Sequence, residues 1–285
     1  MNIGFIGCGR MGRALAIGLA AAGYDIKAVA SLHYQSAVAL AKRVPGCTPY
    51  ASPGELARAV DMVFITTPDD AIMPVCRSIV WKKGQIVLHC SGADTRTALS
   101  SAFEVGAETG VLHPLQTFSG SEADGNQFTG VTFAVEAGGM LYDTLVSMTE
   151  KLGGHPVNIP PHLKALYHIS AVMASNYLVV LAGMSAALWQ NWGISQEDAL
   201  KALLPLIKKT VSNLETAGIS ASLTGPVARG DVGTLQKHLA ALSRLAPALE
   251  TSYRELGLQA VDIAITRGSI TAAGGESLKA ILALK

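Results

Sequence analysis

The run Asn2-Ile3-Gly4-Phe5-Ile6-Gly7-Cys8-Gly9-Arg10-Met11-Gly12 decides the fold. Its apolar start, residues 2–6, predicts a short buried strand, and the alanine-rich residues 10–22 predict a helix. Gly-x-Gly-x-x-Gly joins the two inside a βαβ unit, the context in which that hexapeptide marks a dinucleotide site. Gly7 makes the tight turn, Gly9 lets the backbone approach a pyrophosphate, and Gly12 lets helix and strand pack closely. Arg10 and Met11 begin a helix whose free N–H groups and positive dipole end face the phosphates. Gly7, Gly9, Arg10, Met11 and Gly12 are therefore expected to hold the nucleotide.

Outward from this stretch, residues 25–30, 61–66 and 85–89 read as strands, and residues 35–43 as helix. Two more strand-like runs follow at 110–112 and 131–136, with helical segments between the strands. Short apolar strands alternating with helices predict a parallel sheet covered on both faces. After residues 155–159 comes Pro160-Pro161, which continues neither a helix nor a ladder. Beyond it, residues 163–192, 196–215, 231–245 and 247–256 show helical spacing. The expected fold is α/β: a Rossmann, doubly wound, mainly parallel sheet in residues 1–159, then an all-α domain in 160–285.

Composition narrows the function classes. Charged residues make up 15% of the chain, against about a quarter in ordinary globular domains, so an extended subunit interface is expected to hide surface. A net charge of +1 offers no footprint for nucleic acid or an anionic membrane. Residues 165–189 are long and apolar enough to span a bilayer. They carry His168, Ser170, Ser175, Asn176 and Ser185 and lack flanking basic anchors, so a helix buried in protein on most sides, as in an intimate dimer, is the preferred reading. Cys8, Cys47, Cys76 and Cys90 form no Cys-x-x-Cys pair, which predicts buried thiols in a reducing compartment and no metal site. The start shows no basic region or cleavage site, and a cytoplasmic location is expected.

The end of the second strand reads Ala30-Ser31-Leu32-His33, without the acid that usually bonds the adenosine ribose of NAD. A 2′-phosphate meets no repulsion there, and Ser31 and His33 can donate to it, so NADP is the expected cofactor. Thr67 and Pro68, at the carboxyl end of the third clear strand, are expected to border the ribose and nicotinamide. Asp69 and Asp70 read as a helix cap and first turn. Ser91 and His113 lie at carboxyl ends of later strands, where ligands bind. His113 can act as a general acid, or be a structural histidine bonded to a loop carbonyl; Ser91 reads equally as a turn serine. Helical spacing puts Lys164, His168, Ala171 and Ser175 on one face. Lys164 and His168 could bind a substrate carboxylate or protonate a carbonyl, or be a solvated lysine beside a core histidine.

The glycine fingerprint resembles one family when taken with Thr67-Pro68-Asp69-Asp70, Ser91-Gly92-Ala93, His113-Pro114-Leu115-Gln116-Thr117-Phe118, Tyr167-His168, Ser175-Asn176-Tyr177-Leu178 and residues 223–231. It is the family of predicted NADP-dependent oxidoreductases with a Rossmann-like first domain and a helical second domain of unknown function. The wider superfamily includes 6-phosphogluconate and hydroxyacid dehydrogenases, pyrroline-5-carboxylate reductase, ketopantoate reductase and prephenate dehydrogenase. Ser91 and His113-Pro114 are similar in kind and separation to a serine and histidine of prephenate dehydrogenases. Lys164 matches a catalytic lysine of hydroxyacid dehydrogenases, but His168 stands where they have asparagine. The resemblance implies a homodimer interlocked through the helical domains.

The leading expectation is hydride transfer between NADPH and a C=O or C=N group of a small carboxylate-bearing metabolite, ketopantoate among the possibilities. His113 or Lys164 would supply the proton, Ser91 would align the substrate, and His168 would assist. The alternatives are a non-catalytic NADP-binding dimer acting as redox sensor or scaffold, and a reductase passing hydride between NADP and a deazaflavin.

Overall fold

The computed structural model describes residues 1–118 and 127–283. Its contacts divide the chain into two compact units, Met1–Ser175 and Asn176–Lys285. The first unit alternates strands and helices: β1 (Asn2–Ile6), α1 (Arg10–Ala21), β2 (Asp25–Ala30), α2 (Tyr34–Ala41), β3 (Thr48–Tyr50), α3 (Pro53–Ala59) and β4 (Met62–Ile65). It continues with α4 (Asp69–Arg77), β5 (Ile86–His89), α5 (Ser100–Glu104), β6 (Glu108–Pro114), β7 (Thr132–Glu136), α6 (Gly139–Lys151), β8 (His155–Asn158) and α7 (Lys164–Ala174). The second unit is helical: α8 (Asn176–Leu188), α9 (Gln196–Ser222), α10 (Val232–Leu245), α11 (Glu250–Arg267) and α12 (Ala272–Leu282). Helix α7, which follows the paired prolines, thus belongs to the sheet-bearing unit.

The eight strands form one sheet in the order β3-β2-β1-β4-β5-β6-β7-β8. The six from β3 to β6 are parallel, β7 runs antiparallel to β6, and β8 is parallel to β7. Side chains alternate between two cores, as the pleat demands. Ile3, Phe5, Met62 and Phe64 join Leu15, Leu19, Leu40 and Leu145 on one face, with the Phe5 and Phe64 rings stacked 4.9 Å apart. Ile6, Val63, Ile65 and Val87 join Leu56, Ile72, Cys76 and Ala102 on the other. Burial on both faces explains why these strands read as continuous apolar runs. Strand β3, which the periodicity does not predict, is three residues long and contains Pro49; both features suit an edge.

The helical region departs from the expected boundaries in four places, one of them α11, which runs past the expected end at residue 256 to Arg267. The stretch expected as one helix over 163–192 is interrupted at Ser175, where φ is −113° and ψ −66°. Helix α9 runs past residue 215 to Ser222, with a break at Gly218, whose φ of +73° favours glycine. Helix α12 escaped notice because Ala272-Ala273-Gly274-Gly275 hides its start. A Cβ at Gly275 would lie 2.5 Å from Ile265 Cδ1, so a larger residue there must push that side chain aside. Asp231 caps α10 as expected, its Oδ1 accepting from Thr234 N at 3.0 Å.

Residues Pro161–Trp192 have a mean hydropathy of 1.7 and would cross a membrane by length and composition, but only 6% of the most apolar window is buried. The expected burial on most sides is therefore not supplied by the described residues. Large apolar side chains such as Leu166, Met173, Val179 and Val180 stand exposed.

Candidate active site

The glycine loop follows β1 and is built by three different requirements. Gly7 has φ +111° and donates its N–H to Ala30 O at 2.8 Å; a Cβ would come within 2.6 Å of the Thr66 carbonyl carbon. Gly12 packs so closely that a Cβ would collide with Gly7 O and Thr66 Oγ1. Thr66 Oγ1 itself donates to Gly7 O at 2.6 Å, tying the loop to the end of β4. Gly9 differs, with nothing within 4 Å of where its Cβ would be. No side chain caps α1, so the N–H groups of its first turn, Arg10 and Met11 included, are open to an anion. Thr67, just past β4, has a buried Oγ1 without a hydrogen-bond partner among the described residues. Pro68 occupies the cap position of α4, which leaves Asp69 as its first helical residue rather than its cap. An open glycine, an uncapped helix start and an orphaned hydroxyl at a strand end together fit a dinucleotide.

At the end of β2, Ser31 is half-buried and His33 is exposed at the start of α2. Cys8 lies beneath, its Sγ 3.5 Å from Ala30 O. Burial pushes its thiol up to about 11, so it is held as the neutral thiol.

A second cluster forms where β5, β6, β7 and α7 meet. Within the loop after β5, Ser91 Oγ donates to Asp69 Oδ2 at 2.8 Å and accepts from Ala93 N at 3.2 Å and Asp94 N at 2.9 Å. His89 secures the same loop, with Nε2 2.9 Å from Thr95 O and Nδ1 accepting from Ser91 N at 3.1 Å. Burial lowers its pKa to about 4, so it is neutral at physiological pH. Lys164 is 1% exposed. Its Nζ donates to Ser91 O at 3.2 Å and to Asp94 O, and lies 3.9 Å from Glu136 Oε2. Burial holds its ammonium below the ordinary lysine pKa, against the opposing pull of Glu136. Glu136 also accepts from Arg96 N at 3.3 Å.

The two remaining histidines converge on Gly92. His113 Nδ1 is 2.8 Å from the Tyr167 hydroxyl. A Cβ on Gly92 would stand 2.9 Å from His113 Nε2 and 2.5 Å from His168 Nδ1. That His168 nitrogen is buried and has no hydrogen-bond partner among the described residues. The pKa of His113 is lowered to about 4, first by burial and then by the charge of Lys164. Burial raises Tyr167 to about 12. The arrangement is a pair of imidazoles, at least one firmly neutral, facing one small volume above a residue without a side chain.

The structure therefore brings Ser91, His113, Lys164 and His168 together, and places the glycine loop with Thr67 in a separate cradle. Sequence reasoning did not select Glu136, Asp94, Gly92, His89 or Tyr167 for the site. An acid closing the apolar run 131–136 was the available signal for Glu136, and the neighbour of His168 was the signal for Tyr167.

Residues 2–92 match the family model of NADP oxidoreductase, coenzyme F420-dependent. Residues 2–92 are an NADP oxidoreductase domain. Residues 131–260 match the domain of unknown function DUF2520, so the chain joins the oxidoreductase domain to one of that type. Its class as an oxidoreductase, and NADP as its cofactor, follow from that first domain. No curated protein matches the sequence significantly. Among solved structures, a Bacteroides fragilis protein described as an NADP oxidoreductase shares the fold at TM-score 0.76 and 22% identity, over 92% of this chain and 98% of that one. A reductive aminase from Aspergillus terreus, in complex with NADPH and ethyl-5-oxohexanoate, gives 0.63 and 16% over 99% and 92%. A 1-pyrroline-5-carboxylate reductase from Streptococcus pyogenes gives 0.62 and 18% over 93% and 98%. The oxidoreductase domain and its helical companion thus adopt the fold of these enzymes.

Proposed function

We propose that this oxidoreductase transfers hydride between NADPH and a C=N or C=O group of a small carboxylate-bearing metabolite. The convergence of His113 Nε2 and His168 Nδ1 over Gly92 carries the reading, because it leaves two imidazole nitrogens for one substrate heteroatom. C=N stands first because reductases of imine-type substrates share the fold. NADPH, when bound, supplies the hydride. Gly7, Gly9, Arg10, Met11 and Gly12 would cradle its pyrophosphate, Ser31 and His33 would meet the adenosine ribose, and Thr67 and Pro68 would border the nicotinamide end. In this reading the Tyr167 hydroxyl, 2.8 Å from Nδ1, is the donor, which puts the His113 proton on Nε2. A neutral imidazole donates to a developing charge without adding positive charge to the site. Tyr167 stands behind it to replace a proton that is passed on. Lys164 and Ser91 are positioning residues in this reading, since their polar atoms are engaged by the 91–94 loop, Asp69 and Glu136.

The test is NADPH consumption by the purified protein with cyclic imine carboxylates, 2-keto acids including ketopantoate, and a deazaflavin. His113→Ala and Tyr167→Phe should lower turnover while leaving NADPH affinity within about twofold; intact turnover in both would sink the proposal. Turnover only with the deazaflavin would replace the substrate class and keep the oxidoreductase. The reading includes a cytoplasmic homodimer. Four free cysteines suit a reducing compartment, and a second copy would cover the apolar side chains exposed on α7 and those exposed on α8. Sedimentation should report a dimer, and Val179→Glu should weaken it.

A further inference from the structure

We infer that Arg13 is the cation that recognises the 2′-phosphate of NADP, adding a permanent positive charge to the donors Ser31 and His33 at the end of β2. The inference rests on the NADP assignment of the oxidoreductase domain and adds the residue that reads it. Helix α1 faces the sheet with Gly12, Leu15, Ala16 and Leu19, all buried. Gly18 marks one flank: a Cβ there would lie 2.7 Å from Phe128 Cε2, and Phe128 packs on Phe133 of β7. At about 100° per residue, Arg13 lies roughly 140° round from Gly18, on the opposite flank. Since β2 and β7 lie on opposite sides of β1 in the sheet, that flank faces β2.

Height along the helix agrees. Arg13 N bonds Gly9 O at 2.9 Å, which puts it in the turn directly above the glycine loop, level with the carboxyl end of β2. Its charge is felt by the Cys8 thiol, which lies 3.5 Å from Ala30 O and also meets Ser31. The guanidinium Nε is buried and has no hydrogen-bond partner among the described residues. No acid follows β2 until well beyond α2. A buried guanidinium nitrogen left unmatched on the flank toward β2, near a thiol that also meets Ser31, suits a dianionic phosphate, which a planar fork binds through charge-assisted bonds. A plain ribose hydroxyl would leave the charge uncompensated.

The experiment compares Kd values for NADPH, NADH and the probe 2′,5′-ADP, by fluorescence and calorimetry, in wild type, Arg13→Ala, Arg13→Gln and Arg13→Lys. Charged hydrogen bonds of this kind correspond to a loss of about 10- to 100-fold. Arg13→Ala should weaken NADPH and 2′,5′-ADP by that factor and leave NADH unchanged, with Arg13→Lys in between. Arg13→Gln keeps much of the stem, so it replaces the alanine variant if that one unfolds. Equal losses for NADPH and NADH would show that Arg13 shapes the loop, and an unchanged ratio would show that it is idle; either overturns the inference while sparing the NADP assignment. Wild-type protein that binds NADH as tightly as NADPH would remove both.

Discussion

Gly92→Ala isolates the imidazole pair from everything else in the oxidoreductase. Gly92 is not among the glycines with positive φ, so alanine meets no backbone penalty there. The cost is contact alone. Ordinary Cβ contacts begin at 3.4 Å, and the new methyl would lie 2.5 Å from His168 Nδ1 and 2.9 Å from His113 Nε2. His168 must therefore retreat by about 0.9 Å and His113 by about 0.5 Å, the differences between those distances. Both obstacles are side chains, so the rings move and the backbone stays. His113 moves against its bond to Tyr167 at 2.8 Å. Overpacking of this kind costs about 1–3 kcal/mol of stability, with the low end expected because the rings can turn. Misplacing reacting groups by about 1 Å costs on the order of a hundredfold in rate. Steady-state turnover with the substrate found by screening should fall by about that factor, with NADPH affinity unchanged and urea unfolding showing the small loss. Wild-type turnover would remove both histidines from the reaction. Loss of NADPH binding in step with turnover would show that Gly92 serves the fold of the site.

Lys164→Met should destabilise the protein by about 3–5 kcal/mol in urea, because it leaves Glu136 buried without its ammonium partner. Adding Glu136→Gln should restore part of that loss, and an additive double variant would mean the 3.9 Å pair is not coupled. His89 and His113 are both held near pKa 4, below the ordinary histidine value, so the unfolded chain binds more protons between about pH 6.5 and 4. Stability should accordingly be full above pH 6.5 and fall as pH drops through that window; His89→Gln should flatten the slope, and an unchanged slope would contradict the burial argument. Gly9→Ala should leave apoprotein stability within about 1 kcal/mol yet weaken NADPH, since its Cβ occupies open space meant for phosphate. Gly12→Ala should instead lower the melting temperature, because a backbone oxygen stands in the way. Identical behaviour of the two variants would refute that distinction.

The sheet and the glycine loop were legible in the sequence because both are written in local order. The continuous apolar run Met62–Ile65 and the mostly buried pattern of Asp25–Ala30 carry the strand signal, and the glycine spacing is contained within six residues. Strand β3 and helix α12 were missed for the same reason inverted. One is too short for a period, and the other opens on glycines that local propensity disfavours. Tertiary structure alone decided the roles of the polar residues. Lys164 reads as a free cation on a helix face until a contact 73 residues away turns it inward to Ser91 O. His113 gains its neutral state and its Tyr167 partner only across a separation of 54 residues. The protonation state and availability of a side chain depend on the solvent it loses and the charges it meets, and neither is a property of its neighbours in the chain.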